Sequence, residues 1–197
     1  MESKAALVAS GPVVSVEGSW QRHVSSRFSE QALDGRRGSG RWGTKDGFPV
    51  LYLGRPTDSV VIEAYRHLVD PVMDGEPILV SRVLVTADMH VTNVLDLRSA
   101  AGRVQTGLTM SDLSSSTADR EAYARCQDVA QVAHQLGRHG IVTPAATGAG
   151  ETLVLFTDLL PEQERPIRSA DDQLWDGLPP DPRKRQPRHL RVVGNGN

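Results

Sequence analysis

The sequence predicts an α+β fold with mixed small sheets and flanking helices. Short apolar segments at 50–53 and 152–156 are rich in residues that favour buried strands. Two other segments, starting at Thr57 and Ala122, repeat their apolar residues every three or four positions, as amphipathic helices do. Strands and helices do not alternate in regular βαβ units, so a doubly wound parallel sheet is not expected.

Composition and charge exclude several classes of protein. The chain has 197 residues, of which 39% are hydrophobic and 23% charged, as is typical of one globular domain. A formal net charge of −2 argues against affinity from neutralising many phosphates, so no direct nucleic-acid contact is expected. Cys126 is the only cysteine, which excludes an internal disulfide and a zinc site of clustered cysteines. We therefore expect no metal.

The N-terminal segment predicts neither secretion nor a membrane span. Residues 1–18 contain a short apolar patch but no basic segment followed by a long apolar one. No apolar run approaches the about 18 residues of a membrane-spanning helix. We expect a cytoplasmic protein without membrane contact, in which residues 1–18 form a flexible lead-in to a domain over 19–160.

Glycine and proline mark the boundaries of the first elements. A strand is expected near 20–26, followed by a loop over 34–47 that contains five glycines. The strand at 50–53 comes next. The helix after it is expected to begin with Thr57 as its N-cap residue and to end before Pro71.

The second half of the chain contains a further helix and several strands. The expected elements are, in order, strands at 78–86 and 91–97, a helix over 122–136, and strands at 141–143 and 152–156. A serine-rich connector over 111–117 precedes the helix, and Gly140 is expected to end it. Residues 161–197 hold six of the twelve prolines and a basic run, so an extended tail is expected there.

Three polar residues, eleven positions apart, lie where these elements meet glycine-rich backbone: Arg41, Tyr52 and Glu63. An arginine in a flexible loop can direct two hydrogen bonds onto a diphosphate. A tyrosine offers a ring on which a nicotinamide or adenine stacks. A carboxylate can bind a ribose hydroxyl and stabilise positive charge on the sugar. Cleavage of the N-glycosidic bond of NAD requires these functions.

Each of the three residues also has a purely structural interpretation. Arg41 alone would be a surface loop arginine, and Tyr52 alone a core aromatic residue of a strand. Glu63 alone would be an exposed helix carboxylate paired with Arg66 or His67, worth a few tenths of a kcal/mol. The residue types therefore leave the function open.

Two longer motifs decide between these interpretations. The segment GSGRWGTKDGFPVLYLGRPTDSVVIEAYRHL resembles the RES family, in which a glycine-rich GRW or GRF segment, a strand with LYL and a helix with a glutamate follow one another. The segment QLGRHGIVTPAATGAGETLVLF is similar to the family's second block, a PSA-like turn followed by a strand that ends in LF. Trp20 and Arg22 resemble the opening strand of the family. The resemblance covers roughly residues 20–160.

The resemblance implies a fold, an activity and a partner. RES proteins have an α+β fold akin to ADP-ribosyltransferases and are commonly toxins of bacterial toxin–antitoxin pairs, with an Xre-like helix-turn-helix antitoxin. Members cleave the nicotinamide–ribose bond of NAD by hydrolysis or phosphorolysis, or transfer its ADP-ribose to a protein. NAD is then a substrate, and the resemblance leaves open whether the protein is a homodimer.

The resemblance also implies roles for single residues. Arg41, Tyr52 and Glu63 match the family's catalytic arginine, tyrosine and glutamate. A second set is expected to bind the substrate: Arg22, Gly40, Trp42 and Ala145.

Two positions depart from the family pattern. Gly43 follows GRW where the family usually has asparagine, and Ala145 occupies the position of the serine in the PSA-like turn. Thr143 or Thr147 could supply a hydroxyl from a shifted position. Without that hydroxyl, the alternative to an active toxin is a catalytically weak RES-like domain that binds NAD or a protein partner.

Overall fold

A computed structural model of the protein describes residues 3–71 and 80–184. In these ranges the helices and strands are, in chain order, α1 (Lys4–Ala9), β1 (Val13–Ser25), β2 (Val50–Arg55), α2 (Thr57–Leu68), β3 (Arg82–Asp96), α3 (Ala100–Thr106), α4 (Met110–Ser114), α5 (Arg120–Gln135), β4 (Gly140–Pro144), β5 (Glu151–Phe156), β6 (Ile167–Arg168) and β7 (Gln173–Trp175). None of these helices is long and apolar enough to cross a membrane.

The strands form one seven-stranded sheet, five strands of which close into a ring. β1 runs antiparallel to β3 over its whole length, and the pairing continues through β4, β5 and β2 back to β1. Only the contact between β3 and β4 is parallel. The predicted α+β class is confirmed, and the strands that we expected in several small sheets all belong to this one sheet.

Both faces of β2 and β5 are buried, which explains their uninterrupted apolar sequences. Leu51 and Leu53 point into the ring with Leu153 and Leu155. Alternate residues of the same strands, Val50 and Tyr52 among them, pack with α1, α4 and α5 on the outer side. The two-residue periodicity of the strands therefore separates an inner core from a helix-covered outer core.

Helix α2 follows β2 directly and packs across one part of the ring. Its residues Val60, Val61 and Ala64 contact Leu84 of β3 and Trp175 of β7. Thr57 is the first helical residue and not the N-cap. Pro56 takes the N-cap position with extended backbone, and its carbonyl accepts a hydrogen bond from the Ser59 N–H at 2.9 Å.

Two further predictions for the first 100 residues are wrong. The described part of the expected lead-in contains α1 and the start of β1, because Val8 is fully buried in the outer core. The strands expected at 78–86 and 91–97 are one strand, β3, since Ala87 and Met89 continue the alternation into the ring between them. The expected start at 78 lies outside the described residues.

The predictions for the second half need similar corrections. The helix expected over 122–136 is confirmed as α5, but Gly137 with φ +71° follows it, and Gly140 begins β4. The serine-rich connector contains α4, whose start is fixed by reciprocal hydrogen bonds between Thr109 and Asp112.

The segment after Leu160 is folded as far as the structure describes it. β6 and β7 pair with the edge of β3 that β4 leaves open. Glu164 is buried and accepts hydrogen bonds from Thr92 and from His139. An extended tail is therefore wrong for residues 161–184, because these contacts supply the hydrogen bonds of an open strand edge. Residues 185–197, with most of the basic run, lie outside the described residues.

Candidate active site

A cavity of about 470 Å³ lies beside α2, between β1, β2, the glycine-rich loop and the turn at 144–150. It is large enough for a substantial part of a dinucleotide. Six of the seven residues predicted from the sequence line it: Arg22, Gly40, Arg41, Trp42, Tyr52 and Glu63. Residues from four separate parts of the chain thus meet at one site.

Arg41 forms part of the cavity wall. It is 9% exposed, and its Nη1 donates to the Asp112 carbonyl oxygen and, at 2.7 Å, to Ser115 Oγ. Nη2 donates to the Ser115 carbonyl oxygen at 2.7 Å. The guanidinium group also stacks on the Tyr123 ring, 4.6 Å from its centroid. The surface-arginine interpretation is therefore wrong: Arg41 fastens the segment between α4 and α5 to the glycine-rich loop.

Tyr52 fixes the conformation of that loop. Its hydroxyl accepts a hydrogen bond from the Trp42 N–H at 3.0 Å. Burial raises the pKa of the Tyr52 phenol, so the hydroxyl remains protonated and can still donate. A Cβ on Gly40 would lie 2.8 Å from this hydroxyl, so a larger residue would force Tyr52 or the loop to move. On the other side of the loop, Gln127 Nε2 donates to the Gly40 carbonyl oxygen at 2.8 Å.

Glu63 extends from α2 to the cavity and keeps much of its side chain accessible, at 41% exposure. Its Oε1 lies 3.3 Å from Nδ1 of His67, one helical turn later. An exposed pair of this kind binds weakly, so the carboxylate remains available to a ligand. Of the two partners considered from the sequence, the structure shows His67 and not Arg66.

Two neighbouring residues of β1 complete the wall. Arg22 donates to the Ala32 carbonyl oxygen at 2.8 Å. Burial and the nearby positive charge of Arg36 lower the pKa of Arg22 to about 10, so Arg22 is still charged at neutral pH. His23 Nδ1 accepts a hydrogen bond from Arg82 Nε at 2.8 Å. Burial and the Arg82 charge lower the pKa of His23 to about 3, so His23 is neutral.

The geometry suits a ligand with negative charge and a sugar. Three arginines and one carboxylate line the cavity, which gives it an excess of positive charge. Within residues 3–71 and 80–184, no three side chains of His, Cys, Asp or Glu lie close enough to hold a metal ion. Cys126 is fully buried behind Arg41, and burial raises the pKa of its thiol to about 11, so it is not a nucleophile.

Comparison with known families assigns residues 16–176 to the RES domain. This match covers most of the chain. The chain belongs to the RES family. Its similarity extends beyond the expected end at residue 160 and includes β6 and β7.

Curated relatives match 70% of this RES chain, and a solved structure matches 89% of it. NAD(+) phosphorylase MbcT of Mycobacterium bovis and of Mycobacterium tuberculosis is 27% identical over 138 residues, which are 70% of this chain and 72% of the relative. The crystal structure of the M. tuberculosis MbcT-MbcA toxin-antitoxin complex matches with a TM-score of 0.70 and 23% identity, over 89% of this chain and 92% of that chain. This likeness confirms the fold.

Ala145 is the one predicted RES site residue that the structure does not place on the cavity. It is 6% exposed, and its N–H donates to the Gly150 carbonyl oxygen, while Pro144 and Ala146 on either side line the cavity. Thr147 does line the cavity, and its Oγ1 lies 2.8 Å from Ser59 Oγ. Hydroxyl groups are thus present two residues away from the alanine.

Sequence reasoning missed three residues of this RES site: Arg66, Ser115 and Tyr123. Arg66 lines the cavity and donates to the Ala146 carbonyl oxygen. Ser115 and Tyr123 hold Arg41. The three-residue spacing of Glu63 and Arg66 was a signal that both face one side of α2, but it equally fitted an exposed ion pair. Ser115 and Tyr123 carry no local signal, because only the packing of α4 and α5 brings them to Arg41.

Proposed function

We propose that this protein is a RES toxin that cleaves the nicotinamide–ribose bond of NAD. The observation that carries the proposal is the single cavity in which Arg41, Tyr52 and Glu63 converge, although they come from a loop, a strand and a helix. The name of the curated relatives, NAD(+) phosphorylase, favours phosphate over water as the attacking group.

The reaction separates a neutral leaving group from a positively charged sugar. The C–N bond breaks, its electron pair leaves with nicotinamide, and an oxygen of phosphate bonds to the ribosyl carbon. Glu63 stabilises the positive charge that develops on the sugar before this bond forms. The Tyr52 ring and hydroxyl orient the nicotinamide ribose. Arg22 and Arg41 attract the diphosphate, while Gly40, Trp42 and the turn at Ala145 shape the wall around it.

Product analysis tests this proposal. Purified protein is incubated with NAD, with and without inorganic phosphate, and the products are separated by liquid chromatography. We expect nicotinamide release that depends on phosphate, together with ADP-ribose phosphorylated at the ribosyl carbon. Free ADP-ribose in both conditions would identify a hydrolase instead. ADP-ribose attached to protein would identify the third activity of the family, mono-ADP-ribosyl transfer.

A second candidate function is favoured by Ala145. A RES-like domain that binds NAD but turns it over slowly would lack a hydroxyl at this position. Calorimetry combined with product analysis separates the two candidates. The binding domain would show NAD binding by calorimetry but would release no nicotinamide during hours of incubation, whereas the toxin would consume the NAD.

We also propose an antitoxin partner in the cytoplasm. The similar solved protein is a toxin in a complex with its antitoxin, and the family resemblance favours a helix-turn-helix protein of the Xre type. A small open reading frame of that type beside this gene, whose product relieves growth arrest when both are expressed, is the expected finding. Growth arrest that persists during co-expression would argue against that pairing.

A further inference from the structure

Arg66 is an arginine of the cavity to which the proposed reaction assigns no role. It lies on α2 three residues after Glu63, is half-buried, and extends over the cavity. Its Nη1 donates to the Ala146 carbonyl oxygen of the turn at 144–150. Its Nη2 lies 3.3 Å from the carbonyl oxygen of Ser115. The side chain therefore spans the opening between two loops.

Arg66 shares this last acceptor with Arg41. Arg41 Nη2 donates to the same Ser115 oxygen at 2.7 Å, so the two nitrogens are separated by no more than the sum of both distances, about 6 Å. Two guanidinium groups thus face one neutral oxygen. The two positive charges repel each other, and the partial negative charge of a carbonyl oxygen offsets only part of this repulsion. An anion between the two guanidinium groups would offset more of it.

Neither of these two arginines has a carboxylate partner among the described residues. In the described ranges, neither Arg41 nor Arg66 has a carboxylate oxygen within 4.0 Å, although Arg55, Arg98 and Arg125 all do. Glu63 is the only carboxylate on the described cavity wall, and its side chain contacts His67 and lies farther than 4.0 Å from both arginines. The positive charge at Ser115 is therefore not neutralised by these residues of the chain.

We propose that Arg66 and Arg41 form a subsite for a phosphoryl group. In this subsite an oxygen of the ligand takes the place of the Ser115 carbonyl oxygen between the two guanidinium groups. The inference rests on the proposed function, which supplies two phosphoryl sources: the diphosphate of NAD and free phosphate. Planar guanidinium groups bind phosphoryl oxygens through paired hydrogen bonds, which a lysine cannot reproduce.

Binding measurements on Arg66→Gln test the subsite. Arg103→Gln is the matched control, because Arg103 is also a half-buried helix arginine that donates to two carbonyl oxygens, of Leu97 and Arg98, but does not line the cavity. Calorimetry with ADP, inorganic phosphate and adenosine measures each affinity. We expect Arg66→Gln to lower the affinity for either ADP or inorganic phosphate by tenfold or more, while the affinity for adenosine stays unchanged. Arg103→Gln should change none of the three.

The affected ligand identifies the source of the phosphoryl group. Weaker ADP binding with normal phosphate binding assigns the subsite to the diphosphate, and the reverse result assigns it to free phosphate. Arg66→Lys keeps the charge but loses the paired hydrogen bonds, so it should give an intermediate loss. It also serves as the test variant if Arg66→Gln does not fold. Normal affinity for both ligands, with only a lower melting temperature, would overturn the subsite and leave Arg66 as a clamp between the loops.

The outcome does not depend on turnover. If wild-type protein binds ADP through Arg66 but never releases nicotinamide, the subsite stands and the proposed function fails. If the wild type cleaves NAD and Arg66→Gln binds both ligands normally, the function stands and the subsite fails.

Discussion

At the scale of single residues, the cavity contains two kinds of side chain. Arg41 and Tyr52 are tied into the protein by hydrogen bonds, so they set the shape of the wall as well as its charge. Glu63 has only an exposed contact with His67. A substitution of Glu63 can therefore change the chemistry without changing the fold, whereas substitutions of Arg41 or Tyr52 change both.

Glu63→Gln should abolish most NAD cleavage and leave the fold intact. The amide keeps the size of the side chain but loses the charge that stabilises the ribosyl cation. We expect kcat to fall by about 100-fold or more, as when one electrostatic contact to a transition state is removed. The free energy of unfolding should change by only a few tenths of a kcal/mol, because the lost pair with His67 is exposed. Nicotinamide release and thermal melting measure the two effects.

Glu121→Gln provides the control for this substitution. Glu121 forms an exposed contact with Arg125, also one helical turn away, but at 3.9 Å and outside the cavity. This variant should keep both full activity and full stability. Normal turnover by folded Glu63→Gln protein would remove Glu63 from the mechanism.

His23 should make the stability of the protein depend on pH above the range of the carboxylates. The pKa of His23 is lowered to about 3 in the folded state, against about 6.5 when unfolded, so below pH 6.5 the unfolded chain binds a proton that the folded chain does not. The contribution of neutral His23 to the free energy of unfolding is then fully present above pH 6.5. It is lost as the pH falls from 6.5 towards 3, by up to about 1.4 kcal/mol per pH unit. Urea unfolding between pH 7 and pH 5 measures this slope.

His23→Asn should flatten the slope in that interval, since asparagine retains an acceptor for Arg82 but does not titrate. Asp112 and Glu164 also have lowered pKa values, owing to hydrogen bonds from Thr109 and Thr92 and to charged partners. Their contribution is present above about pH 4 and is lost at lower pH, so it does not interfere. An unchanged slope in His23→Asn would show that His23 does not remain neutral in the folded protein.

At the scale of elements, the glycine-rich loop is held from two sides. Tyr52 of β2 contacts the loop through the Trp42 N–H, and Gln127 of α5 donates to the carbonyl groups of Gly40 and Gly43. The loop is thus a fixed part of the wall and not a flexible cover. This arrangement depends on close approach at Gly40, which a side chain would prevent.

Gly40→Ala should destabilise the loop and weaken NAD binding. The new methyl group would lie 2.8 Å from the Tyr52 hydroxyl and 3.5 Å from its ring, so Tyr52 or the loop must move. Overpacking of this kind costs about 1 to 3 kcal/mol of folding stability. Gly38→Ala is the matched control in the same loop, because nothing lies within 4 Å of a Cβ there. Equal melting temperatures and equal NAD affinities for the two variants would contradict the close approach.

The sequence predicted most elements and much of the site, and the failures have physical causes. The alternation in β2 and β5 and the helical period of α5 are local patterns, so they could be read directly. The motif residues were found because the family spacing is also local. Arg66 was missed because its partners, Ala146 and Ser115, lie 80 and 49 residues away in the sequence. No local pattern in α2 predicts contacts with them.

At the scale of the whole molecule, the chain after Leu160 covers an edge of the ring that is otherwise open, along β3. β6 and β7 have two and three residues, too few to show any periodicity, so the sequence predicted a tail instead. Their partner residues in β3 lie about 80 residues earlier in the chain for β6 and about 90 residues earlier for β7. Glu164 makes the same connection through Thr92 and His139. Long-range contacts of this kind stabilise the fold without leaving a local signal.

A chain that ends at Leu160 should therefore fail to fold, whereas a chain that ends at Lys184 should fold. The shorter chain loses Trp175, which is buried against α2 and β3, and the charged hydrogen bonds of Glu164. Loss of a buried tryptophan costs about 3 to 5 kcal/mol, and loss of a charged hydrogen bond about 1.5 to 3 kcal/mol. Together these approach the whole stability of about 5 to 15 kcal/mol of a typical domain.

The longer chain is the control, because it keeps every contact that residues 161–184 make with the other described residues. Thermal melting followed by circular dichroism compares the stability of the two chains. In the full-length protein, Glu164→Ala and Trp175→Ala measure separately how much stability each of these two anchors, Glu164 and Trp175, contributes. Each single variant should remain folded with a lower melting temperature, since it loses only one of the anchors. A cooperative transition at the full-length temperature in the chain ending at Leu160 would mean that the five-stranded ring is stable without the segment that covers its edge.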